Sequence, residues 1–80
     1  MRKPAINKKQ FENSFKSFAI MHGNPHSITV NPITAKHIIK DVKQSDVEYL
    51  IVNNTIIQYN GINVNYMRPS EIQTGVVMFK

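Results

Sequence analysis

The sequence predicts an α+β fold: a small mixed or antiparallel sheet of four to five strands with two helices packed on it. Three features carry that prediction. Phe11, Phe15, Phe18 and Met21 recur at spacings of four, three and three, the period of one helix face. "SITV" reads as a β-branched strand that passes through Asn31-Pro32 into a second helical pattern, Ala35, Ile38, Ile39 and Val42. From Val47 onward the period drops to two, with Asn60-Gly61 set between alternating apolar residues.

The first helix is expected from Lys8 to His22, with Gly23 just past its end and Pro25 as a stop. Each phenylalanine of its stripe contributes roughly 1.5 to 3 kcal/mol when buried, so the helix must pack on something. At the strand-to-helix corner, Asn31 is a good N-cap and Pro32 suits the first helical position, where no N–H is needed. That chemistry turns a buried strand into a covering helix without any ligand. A helix N-terminus holds anions, but this corner has neither a glycine-rich loop nor an adjacent lysine. "VEYLIV", "TIIQY" and "INVNYM" follow as strands, bounded by Asn53-Asn54, Asn60-Gly61 and Pro69. In the last of them Ile62, Val64 and Tyr66 point one way and Asn63, Asn65 and Met67 the other, so one face is wet or meets something polar. "RPSEIQTG" is expected as a loop or a single helical turn, and "VVMF" as a closing strand.

Eighty residues make one small domain that buries roughly 60% of its unfolded surface, with no room for a second core. There is no Cys, so neither a disulfide framework nor a thiolate metal site is available. No apolar run approaches the ~18 residues of a membrane span, and the start lacks the apolar stretch of a signal peptide, so a soluble protein without a membrane partner is expected. The net charge of +5 is uneven: Arg2, Lys3, Lys8 and Lys9 supply four positive charges before any acid, whereas from Gln10 onward six basic residues face five acidic ones. Residues 1–9 are therefore read as a flexible basic arm and residues 10–80 as the domain. Such an arm is a candidate for phosphate, nucleic acid or an acidic protein surface.

Catalytic and metal chemistry find little support. His22 and His26 are separated by Gly23, Asn24 and Pro25, which break the helix that would align them, and His37 sits between Lys36 and Lys40. Asp41, Asp46, Glu48 and Glu71 fall in polar segments expected to be exposed, with no apolar-flanked pair to shift a pKa. Neither Ser27 nor Ser70 lies in a nucleophile elbow. The expectation is a protein with no enzymatic activity, no metal and no cofactor. Tyr49, Tyr59 and Tyr66 on neighbouring strands offer a base-stacking platform beside Arg68, but no Lys or Arg lies between Val47 and Met67. The plainer reading puts their rings inside.

In order, the helix ending "MHGNP", the corner "ITVNPITAKHIIKDV", the hairpin "YNGINVNYM" and the finish "PSEIQTGVVMF" resemble the axial-domain portion of the major capsid proteins of tailed bacteriophages, the shell fold shared with encapsulins. The residues that carry the resemblance are Val30, Asn31 and Pro32, then Gly61, Ile62 and Val64, then Pro69, Gly75, Val77 and Phe79, the last three loosely spaced. Shell proteins of that family are several times longer. The resemblance therefore implies an accessory that binds capsid subunits or self-associates in decoration or morphogenesis, in the host cytoplasm or the virion. Asn63, Asn65, Met67 and Arg68 are its candidate protein contacts. The competing expectation is a small regulatory protein that binds nucleic acid or a host protein through Arg2, Lys3, Lys8 and Lys9.

Overall fold

The computed structural model describes residues 6–80. Its elements run α1 (Lys8–His22), β1 (Ser27–Val30), α2 (Pro32–Ile39), β2 (Tyr49–Val52), β3 (Thr55–Tyr59), β4 (Ile62–Tyr66) and β5 (Met78–Phe79). The five strands form one mixed sheet in the order β2-β3-β4-β1-β5. β1 pairs with β4 in parallel and with β5 antiparallel, so the strand before the corner lies inside the sheet, between two neighbours. This is the expected α+β architecture, and α1 has the expected bounds.

Each element has a local cause. Asn7 caps α1 reciprocally with Gln10: the Asn7 side chain accepts from the Gln10 N–H at 2.8 Å and the Gln10 side chain accepts from the Asn7 N–H at 3.1 Å. Gly23, at φ +81°, ends the helix and donates its N–H back to Ala19. Asn53-Asn54 (φ +52° and +62°) and Asn60-Gly61 (φ +52° and +77°) place two consecutive residues in the left-handed region, the requirement of tight two-residue hairpins.

One core holds the molecule. Phe11 and Phe15 of α1 meet Tyr59 edge-on with ring centroids 4.9 Å apart in each case, and Tyr49 lies against Tyr59 at 4.8 Å with its ring tilted by 52°. Ile28, Val30, Ala35, Ile38 and Ile56 complete the cluster. All of it lies on one side of the sheet, and the shortest dimension of the molecule, 21 Å, corresponds to one helical layer on one sheet.

Four expectations need correction. Met21 is 75% exposed, because α1 outruns the two-residue strand β5 beneath it; Phe18 is the last residue of the stripe to find a partner, Phe79 at 5.4 Å. Helix α2 stops at Ile39, and Val42 packs against the core from the loop that follows. The stripe of β3 does not alternate: Ile51 pairs with Ile56 but Leu50 pairs with Gln58, so Ile57 is an extra residue in the strand. That bulge lets both Ile56 and Tyr59 face the core and pushes Ile57 out. Finally, the basic arm does not extend to residue 9. Ile6 is buried, Asn7 is a cap, and Lys8 and Lys9 form the first turn of α1. Arg2 and Lys3 lie outside the described residues.

Candidate functional site

Both helices lie on one side of the sheet, and among the described residues no element covers the other side. Its composition follows from strand alternation and register. Thr29 of β1 lies between Asn65 of β4 and Met78 of β5, and Gln58 of β3 lies between Leu50 of β2 and Asn63 of β4. The bulge adds Ile57. Leu50, Val52, Ile57, Met67 and Met78 are 38–50% exposed, an apolar surface interrupted by the two asparagines. Asn63 accepts a hydrogen bond from Gln58 Nε2 at 3.0 Å, which ties the polar centre of this face together. Asn63, Asn65 and Met67 thus lie on one exposed surface, as their alternation indicated. Arg68 lies just past the strand, exposed and paired with Glu71 at 3.6 Å. Leu50, Val52, Ile57 and Met78 were missed; period-two alternation marks Leu50 and Val52 as outward-facing, but Ile57 needs the bulge.

The tyrosines offer no stacking platform. Tyr49 and Tyr59 are buried among the phenylalanines of α1, and burial raises the hydroxyl of Tyr59 to about 12. The hydroxyl of Tyr49 is raised mainly by burial and then by its 2.9 Å hydrogen bond to Glu12. Tyr66 turns inward and spans a gap in the sheet. β3 and β4 pair only at Gln58–Asn63 and Tyr59–Ile62; further along, the Tyr66 hydroxyl accepts from the Ile56 N–H at 3.0 Å and donates to the Ile56 C=O at 2.9 Å. One side chain replaces a missing rung of the ladder.

Of the basic candidates, Lys8 is committed to its own fold. Its ammonium lies 3.1 Å from Glu12 and 3.7 Å from Asp46, and the Glu12 hydrogen bond raises its pKa. Asp46 is half-buried rather than exposed, and its carboxyl is lowered first by the Lys43 N–H and then by Lys8. Lys9 is exposed beside this cluster. Among the described residues no three His, Asp or Glu side chains converge as metal ligands do.

The Asn31-Pro32 corner has a structural role. Asn31 is fully buried; its carboxamide oxygen accepts from the Thr34 N–H at 2.7 Å, and its Nδ2 donates to the Ile72 C=O and to Thr74 Oγ1, each at 3.0 Å. Thr34 Oγ1 accepts from the Gly75 N–H at 3.0 Å. The Asn31-Pro32 and Pro69-to-Gly75 segments, far apart in sequence, therefore clasp each other, and the buried Ile72 is held between them. Compared with protein-family models, with curated proteins and with solved structures, the chain matches none. Nothing in these comparisons links the chain to phage capsid proteins.

Proposed function

We propose that the protein works by docking, without catalysis, onto another protein through the bare face of its sheet, as a structural or assembly accessory. The partner is a shell-type subunit, in line with the motif resemblance, or another copy of the chain. The observation that supports this reading most is the face itself: half-exposed Leu50, Val52, Ile57, Met67 and Met78 share one side of the sheet with Asn63 and Asn65. Clustered apolar surface rimmed by polar groups marks interaction sites. Its centre bears no charge, so complexes made through it should resist salt.

Capture of partners by the tagged protein at low and high salt, followed by the same capture with Asn63→Lys/Asn65→Lys, tests the proposal. Complexes retained at high salt and lost in the double variant support it. The reading through Arg2, Lys3, Lys8 and Lys9 makes the opposite prediction: a nucleic-acid or acidic partner released as salt rises, with the double variant unaffected. The ion pairs of Lys8 with Glu12 and Asp46 weigh against that second reading.

A further inference from the structure

β2 is an edge of the sheet, and it lacks the devices that usually keep an edge from pairing. Tyr49–Val52 is apolar throughout, carries neither Lys nor Pro, and leaves its bulge to β3. Among the described residues no strand lies on its outer side. The loop before it runs beside the start of the strand, and Val42, Lys43, Asp46 and Val47 form with Tyr49, Leu50 and Ile51 an open groove of about 370 Å³. Glu48 turns its C=O inward to the Asn60 N–H, so by alternation the backbone groups of Tyr49, Ile51 and Asn53 point to the free edge. The N–H of Tyr49 is already taken by the Asp46 C=O at 3.2 Å. What remains open is the C=O of Tyr49, both groups of Ile51 and the N–H of Asn53.

We propose that β2 pairs antiparallel with β2 of a second copy about a two-fold axis at Ile51, joining two five-stranded sheets into one continuous sheet. This deepens the association reading by naming how copies meet. In this register the two Ile51 residues exchange both backbone hydrogen bonds, and each Asn53 N–H donates to the Tyr49 C=O of the second copy. The Tyr49 N–H, which has its partner within the chain, is not required. On the bare face Leu50 lies opposite Val52 of the second copy, twice over, which covers two residues that are 49% and 50% exposed. Glu48, the charge nearest the strand, falls opposite Asn54; a parallel pairing would set the two Glu48 carboxylates side by side. The two-fold axis stands perpendicular to the sheet, so both bare faces lie on one side and both helical layers on the other. A four-residue edge buries less than the ~800 Å² per partner of a standard interface, so the dimer is expected to depend on concentration.

Sedimentation equilibrium of the full chain from micromolar to millimolar concentration tests this, with circular dichroism to confirm that each variant is folded. The wild type should dimerise. Leu50→Lys/Val52→Lys places lysine opposite lysine and should raise the dissociation constant at least ~10-fold. Leu50→Lys/Val52→Glu places lysine opposite glutamate and should retain the dimer. Asn63→Lys/Asn65→Lys, on β4 and away from the edge, should leave it unchanged. A wild type that stays monomeric, a Leu50→Lys/Val52→Lys variant that dimerises normally, or a Leu50→Lys/Val52→Glu variant as weak as the double lysine overturns the proposal. Loss of the dimer in Asn63→Lys/Asn65→Lys alone would place self-association on the bare face, overturning the edge pairing while leaving the docking reading standing.

Discussion

Asn31 does three jobs with one carboxamide: it caps α2, and it holds both Ile72 and Thr74. Replacing it with Ala removes a helix cap, at a cost of about 1 kcal/mol, and leaves the buried C=O of Ile72 without its donor, at a cost of about 1–3 kcal/mol. Urea denaturation of Asn31→Ala should therefore show a loss of roughly 2–4 kcal/mol. Asn31→Asp keeps the cap acceptor but sets a buried carboxylate oxygen against the Ile72 C=O, and should destabilise at least as much as Asn31→Ala near neutral pH. Tyr66→Phe removes the hydroxyl that serves both backbone groups of Ile56; it should destabilise by about 1–3 kcal/mol in the same assay. The capping role of Asn31 was legible in the sequence because it depends on three neighbouring residues. Its reach to Ile72 was not, because 41 residues separate them and only the folded topology closes that distance.

Among the elements, α1 shows how far periodicity carries and where it stops. The spacing of Phe11, Phe15, Phe18 and Met21 defines a helix face correctly, yet it cannot say how much sheet lies beneath that face. Phe11→Ala, at 2% exposure, should cost about 3–5 kcal/mol, whereas Met21→Ala should stay within about 0.5 kcal/mol, a contrast readable in thermal or urea unfolding. The second hairpin was legible for a different reason: Asn60-Gly61 carries the positive φ that its turn needs within the turn itself, whereas Asn53-Asn54 marked only a strand boundary and turns out to close a hairpin of the same kind. The bulge in β3 was hidden. Thr55–Tyr59 looks like any short strand, and the extra residue at Ile57 emerges only from the pairing of β3 with β2. That hidden residue supplies part of the bare face, which is why the sequence alone located Asn63, Asn65 and Met67 but not Ile57 beside them.

For the molecule as a whole, titration sets the limits of stability. Tyr59 ionises near 12 when folded and near 10 when unfolded, so its contribution is complete below about pH 10 and is lost as pH rises towards 12. The hydroxyls of Tyr49 and Tyr66 are shifted the same way. Tyrosine absorbance at 295 nm should therefore rise together with unfolding, not before it. On the acid side the lowered carboxyl of Asp46 has the opposite sign: its contribution holds above the ordinary carboxylate range and disappears as pH falls through its folded value. Asp46→Asn should flatten the dependence of melting temperature on pH in the acid limb. Between these limits the described residues form a single helical layer on a five-stranded sheet and leave one side of that sheet uncovered. The most direct test of that side's role is a two-dimensional ¹H–¹⁵N spectrum of labelled protein, titrated with the partner recovered at high salt. The account predicts shifts or broadening centred on Asn63, Asn65, Ile57 and Met78, with α1 unchanged; changes confined to Lys9 and the first turn of α1, with the sheet silent, would contradict it.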